Sequence, residues 1–173
     1  MSGRIILNSE ILNDLIDTNS LVFQEKFQRT SGKNYYISPT IGIKIFNAKV
    51  SWIDSYKKNI SFIFSKHENL SLLHFLKSIQ QKLIHLYKTR CYNPQNVSSI
   101  YYEKGDYFYV KVYLPNMNNK YNIISSFNGE QEPFKIPRVG ITYDSIILDI
   151  RNIWEKDTAA GFNLELKETY VTI

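Results

Sequence analysis

Cysteine is almost absent from this sequence, and long apolar runs are absent altogether. The one cysteine, Cys91, excludes an intramolecular disulfide and favours a reducing compartment. No apolar run approaches the ~18 residues of a membrane-spanning helix, and the first residues lack the apolar core of a signal peptide. We therefore expect no membrane association and a cytoplasmic or nuclear location. A virus-encoded protein made in those compartments fits the same expectation.

The motifs of the common enzyme classes are also missing. The sequence contains no phosphate-binding glycine loop, no GxSxG, no HExxH and no Cys/His pair at metal-binding spacing. The alternative is a two-metal nuclease built from Asp144 and Asp149 with Glu103 and Asp106. Asp144 and Asp149 differ in parity, however, and cannot share one face of a regular strand. The sequence thus predicts a protein that is not an enzyme and has no metal or cofactor.

Tyrosine and positive charge are what the sequence has in excess. Its 173 residues include 13 Tyr and 10 Phe and carry a net charge of +5. A basic, aromatic chain suits an anionic partner, and nucleic acid is the commonest one. With 43% hydrophobic and 21% charged residues, residues 1–173 are expected to fold as a single globular domain.

One strong helical pattern interrupts a series of short strands. Apolar residues recur at helical spacing over residues 69–90, so we expect one long helix there, ended by Pro94. A short N-terminal helix is expected over residues 9–19, with Ser9 as its cap. About eight strands accompany the helices, at residues 21–29, 41–52, 59–65, 98–102, 107–114 and 120–127 and in a C-terminal hairpin. This order predicts a mainly β (α+β) domain of the barrel or sandwich type.

The strand at residues 41–52 changes phase along its length. After three isoleucines on one face, the apolar positions move to the other parity at Phe46, Ala48, Val50 and Trp52. A β-bulge, or a strand that curls between two sheets, produces such a switch. Both are features of small closed barrels.

The segment YFYVKVYL, residues 107–114, carries the main functional signal. If its Phe, Val and Leu side chains face the core, four others face outward: Tyr107, Tyr109, Lys111 and Tyr113. Single-stranded nucleic acid is bound by stacking bases on such rings while lysines neutralise its phosphates. We predict that these four bind DNA, together with Tyr101, Trp52, Lys57 and Lys58. For Trp52, a core position at the end of its strand is an equal alternative. The alternative is that tyrosines simply favour strands and that this face is covered by the rest of the chain.

Two alternating segments near the C-terminus flank a short polar loop. The first ends on Trp154 and the second begins at Gly161-Phe162, and we interpret all three as barrel-closing and core residues. Arg151 points to the opposite face. There it reaches either a phosphate or an acidic neighbour such as Glu165.

This hairpin pattern, over residues 138–171, resembles the last barrel hairpin of OB-fold single-stranded DNA-binding proteins from some bacteriophages and nucleo-cytoplasmic large DNA viruses. In them a strand ending on Trp precedes a Gly-aromatic-X-Leu/Val strand. The resemblance implies an OB-like β-barrel with one long inserted helix. It also implies sequence-independent binding of single-stranded DNA in viral or mobile-element replication and recombination. The phage proteins typically finish in an acidic tail that recruits polymerase, whereas this sequence closes on Tyr170-Val-Thr-Ile173. A replication partner such as a DNA polymerase is therefore an expectation from the resemblance alone.

Two alternatives to this function stay open. Protein interfaces are also enriched in tyrosine and arginine, so the same face suits a viral structural or transcription-complex protein that docks another protein. RNA is the alternative ligand, since a stacking platform accepts either backbone. The sequence does not decide the binding-site size or whether the chain forms a homo-oligomer.

Overall fold

A computed structural model of the chain describes residues 4–8, 22–27, 33–91 and 94–173. These residues are mainly β, with thirteen strands and one helix. In chain order the elements are β1 (Arg4–Asn8), β2 (Val22–Phe27), β3 (Lys33–Ile53), β4 (Asn59–Ser65), α1 (Leu70–Arg90), β5 (Asn96–Val97), β6 (Tyr102–Lys104), β7 (Tyr107–Tyr113), β8 (Asn116–Met117), β9 (Lys120–Tyr121), β10 (Ile124–Phe127), β11 (Glu130–Pro133), β12 (Thr142–Lys156) and β13 (Ala159–Val171).

Five of these strands form a partly closed ring. Their order is β3–β4–β7–β13–β12, and β12 returns to pair with β3. Four of the seams are antiparallel, and the fifth is a parallel contact between β7 and β13 at the single pair Tyr113–Glu165. The expectation of a mainly β, barrel-like domain is thereby confirmed.

Most of the other strands extend the ring at its edges, whereas β8 and β9 form a separate two-stranded sheet. β1 and β2 pair with β3 beyond the part that β4 covers. β10 pairs in parallel with the end of β13 and carries β11 at its outer edge. Two hairpin turns use residues with positive φ: Gly105 has a φ of 57°, and Asn128-Gly129 have φ values of 50° and 83°.

Alternating side chains of the ring strands fill its interior. On β4 and β7 six residues are at most 2% exposed: Ile60, Phe62, Phe64, Phe108, Val110 and Val112. The rings of Phe64 and Phe108 stack with centroids 5.2 Å apart. Because every second residue of these strands is buried, the residues between them point away from the core.

The long helix begins and ends where its apolar period predicted, at Leu70 and Arg90 against the expected 69–90. Its buried residues other than Tyr87 belong to the same cluster as the ring core, so the helix packs against the barrel. Tyr87 packs in a second cluster with Tyr35 and Ile153. The side-chain oxygen of Gln80 accepts hydrogen bonds from the Ser99 hydroxyl (2.9 Å) and the Ile100 amide (2.7 Å). This contact ties residues 98–100 to the helix. The helix expected at residues 9–19 lies outside the described residues.

The phase change expected in β3 is confirmed, but it occurs in two steps. The first lies at Asn47, whose φ is 52°, and it turns Ala48 and Val50 inward. The second is a register shift against β4 between Val50 and Trp52. It turns Trp52 outward, with 46% of its surface exposed, so Trp52 does not share the inward face of Val50 as the apolar pattern indicated.

A register shift in β12 has the same effect on the second tryptophan. Between Ile150 and Asn152 the pairing shifts against both neighbouring strands, β13 and β3. As a result Ile153 is fully buried and Trp154 is 37% exposed. The expectation that Trp154 is a core residue is therefore wrong. Phe162 does pack against the core, as expected.

Candidate nucleic-acid interface

The outward side of β7 carries the four side chains that the alternation placed there. Tyr107 and Lys111 are exposed, and Tyr109 and Tyr113 are half-buried. The three residues between them are buried in the core. The orientation expected for the YFYVKVYL segment is therefore correct. What these side chains bind remains a prediction.

Tyr102 and Tyr109 form a pair of parallel rings on this face. They lie opposite each other in the β6–β7 ladder, with centroids 4.7 Å apart and planes only 7° from parallel. Tyr102 is 52% exposed. Its neighbour Tyr101, which we predicted to bind DNA, is half-buried and packs against the core. Burial raises the pKa of the Tyr101 hydroxyl, and the nearby carboxylate of Glu103 adds to the effect.

A row of three residues crosses the middle of the same face. Trp52 pairs with Ser61 on β4, and Ser61 pairs with Lys111 on β7. The ammonium of Lys111 lies 5.6 Å from the centroid of the Trp52 ring, within the range of a cation–π contact. The Ser61 hydroxyl is buried and has no hydrogen-bond partner among the described residues. The register thus brings two predicted site residues together although 59 positions in the chain separate Trp52 from Lys111.

The loop between β3 and β4 borders this face and holds the other two predicted lysines, Lys57 and Lys58, both exposed. Asp54 organises the loop. Its carboxylate accepts hydrogen bonds from the Lys58 amide (2.7 Å) and from the Asn59 side chain (2.9 Å). The pKa of Asp54 is lowered, chiefly by the Asn59 hydrogen bond. Tyr56 lies in the same loop, and 81% of its surface is exposed.

A groove opens beside this face, between β7, β13 and residues 98–102. Its volume is about 390 Å³, and it shares Tyr102, Lys111 and Tyr113 with the face already described. Trp154 forms part of its wall, and Tyr101 also lines it. The predicted residues Tyr101, Lys111 and Tyr113 therefore line one continuous surface.

Ion pairs neutralise several charges around the site. Arg151 contacts Glu165 at 3.3 Å, and Lys167 contacts the same carboxylate at 3.0 Å. Arg151 was expected to reach either a phosphate or an acidic neighbour, and in the structure it pairs with Glu165. Three lysines were predicted to bind DNA. Within the part of the chain that the structure describes, no ion pair includes Lys57, Lys58 or Lys111.

Sequence reasoning missed three aromatic side chains of this surface, Tyr56, Tyr102 and Trp154. Tyr56 had a signal, because it directly precedes two lysines in a turn. Tyr102 had a weaker one, since the phase of a short strand decides which of two adjacent tyrosines faces outward. Trp154 had none, because its exposure follows from a register shift.

No protein-family model matches the chain, and no significant match is found among curated proteins. No helix in the described part of the chain is long and apolar enough to span a membrane. The function of the chain must therefore be inferred from its own residues.

Proposed function

We propose that this protein is an OB-type barrel that binds single-stranded DNA without sequence preference, in DNA replication or recombination. The order of the ring strands supports this proposal. OB-folds are five-stranded, partly open barrels that bind oligonucleotides on the face of their second and third strands and on the adjoining loops. The second and third ring strands of this chain are β4 and β7, which carry the tyrosine face.

The observation that carries the proposal is the set of outward-facing rings with a lysine among them. The parallel Tyr102 and Tyr109 rings and the outward Trp52 ring offer flat surfaces to bases. Stacking on such rings contributes ~1–3 kcal/mol per base and accepts every base. Lys111 stands between them, with Lys57 and Lys58 at the edge, where phosphates of a bound strand would be neutralised.

The resemblance of the C-terminal hairpin extends this proposal to a viral or mobile-element replication protein. A DNA polymerase or another replication protein is the partner that such a role implies. RNA and a protein partner are the competing ligands of the same face. A comparison of oligo-dT with oligo-rU distinguishes DNA from RNA.

Fluorescence anisotropy of labelled oligo-dT, measured at two salt concentrations, tests the proposal. We expect binding that weakens with salt, with log K falling by about 0.7 per decade of salt for each phosphate neutralised. Tyr109→Ala should weaken binding by the loss of one stacked base, roughly 5- to 150-fold. Phe127→Ala is the matched control, because Phe127 is an exposed ring on β10, away from the site.

Absence of binding to oligo-dT at low salt would contradict the proposal. Tighter binding to oligo-rU than to oligo-dT would assign the face to RNA. If Tyr109→Ala binds DNA like the unmodified protein, the tyrosine face is not the binding surface.

A further inference from the structure

The groove beside the tyrosine face has properties that the face itself lacks. The face is an open sheet surface, whereas the groove is a recess of about 390 Å³, within the size range of small-ligand sites. Aromatic rings of Tyr102, Tyr113 and Trp154 contribute to its walls, and Lys111 lies where the groove meets the face.

Trp154 is held in this wall by a close contact with Gly161, its partner across the β12–β13 ladder. A β-carbon on Gly161 would lie 2.6 Å from Cζ2 and 2.8 Å from Cε2 of the indole. Only a glycine allows the ring this position, since real β-carbons do not approach other atoms so closely. The ring therefore lies against the backbone of β13, and 37% of its surface remains exposed.

Polar side chains also line the groove. Asn163 follows Phe162 on β13, and Ser98 lies on the opposite side. Amide and hydroxyl groups at the edge of an aromatic recess are the groups that hydrogen-bond the edge of a nucleobase. Nucleobases combine a flat apolar surface with polar edges, so both kinds of lining match this class of ligand.

We infer that this groove is a nucleobase site, in which one unstacked base of a bound single strand lies against Trp154. The inference rests on the proposed function and adds a subsite to it. Lys111 belongs to both surfaces, so the phosphate that precedes or follows the inserted base passes close to its ammonium. The strand then runs over Trp52 and the parallel tyrosines and turns one base into the groove.

The two tryptophans of the chain allow this site to be followed separately from the face. In the Trp52→Phe variant the only indole is that of Trp154, and its emission reports on the groove. Titration with labelled oligo-dT gives anisotropy and tryptophan emission in one experiment. We expect the emission to be quenched in step with the rise in anisotropy.

Two further variants test the energetic contribution of the site. Trp154→Ala should weaken oligo-dT binding by the loss of one stacked base, roughly 5- to 150-fold. Gly161→Ala retains the indole but displaces it, and should also weaken binding. Phe127→Ala, which removes a ring of equal exposure (37%) outside the groove, should bind like the unmodified protein.

The outcomes separate the inference from the proposed function. If oligo-dT binds but the Trp154 emission stays constant and Trp154→Ala binds normally, the groove is not a base site, and the proposed function stands. If oligo-dT does not bind at all, the proposed function fails and the inference fails with it. Quenching together with a selective loss in Trp154→Ala supports both.

Discussion

The indole of Trp154 lies very close to Gly161, its partner across the last hairpin. A β-carbon on Gly161 would be only 2.6 Å from Cζ2 of the ring. Gly161 is buried, so its backbone cannot move freely to relieve a clash. The ring is partly exposed and has to be displaced instead. The pair therefore couples the stability of the hairpin to the position of the ring.

Gly161→Ala should lower the free energy of unfolding by about 1–3 kcal/mol, the usual cost of overpacking. In the Trp154→Ala background the same substitution should cost much less, because the clashing ring is gone. Urea denaturation followed by circular dichroism of the four proteins gives the coupling energy as a double-mutant cycle. Equal costs in the two backgrounds would show that the ring is not the source of the strain.

Lys111→Gln should change the salt dependence of DNA binding more than it changes the fold. The side chain is exposed, and its described contact is with the Trp52 ring. Loss of one phosphate contact should reduce the slope of log K against log salt by about 0.7. The exposed Lys135 is a matched control, and Lys135→Gln should leave the slope unchanged. A slope unaffected by Lys111→Gln would remove this residue from the phosphate path.

Tyr143 should make the stability of the protein fall at alkaline pH. Burial raises the pKa of its hydroxyl from 10.0 to about 12, so the folded state favours the neutral phenol. This stabilisation is fully present below pH 10 and is lost as the pH rises from 10 to about 12. The difference corresponds to on the order of 2–3 kcal/mol.

Replacing this residue isolates its contribution. Tyr143→Phe keeps the buried ring, which lies edge-on to Phe62 with centroids 6.4 Å apart, and removes the ionisation. Urea denaturation at several values between pH 9 and 12 should then show a shallower decline than in the unmodified protein. Identical declines would mean that other groups govern the alkaline transition.

The elements with a strong local period could be predicted from the sequence. The helix 69–90 follows from apolar residues that recur every turn, and the orientation of the tyrosines in β7 follows from strict alternation. The Asn128-Gly129 turn follows from residues that accept a positive φ. Each of these signals lies within about 20 residues of chain, so no tertiary information was needed to interpret it.

The two tryptophans could not be placed in this way. An alternating pattern gives the inward face only while the pairing register stays constant, and Trp52 and Trp154 both follow a register shift. The shifts lie at Ser51 of β3 and at Arg151 of β12. Both strands belong to the partly closed ring and pair with a neighbour on each side. The positions of the shifts depend on partner strands that are distant in the sequence.

The groove could not be predicted from the sequence for the same reason. Its walls come from β7, β13 and residues 98–102, and no pattern within a single segment indicates that they meet. The face is different, because its main residues lie in one strand. The sequence therefore indicated the tyrosine face and did not indicate the groove.

The pairing of β3 with β12 also has a consequence for synthesis of the chain. The register joins Lys49 to Thr142 and Lys33 to Glu155, so one long edge of β3 stays without its partner while roughly 100 further residues are made. At the usual translation rate this interval lasts roughly 5–20 s. During that time the nascent barrel presents an isoleucine-rich strand edge, which is a template for association between chains.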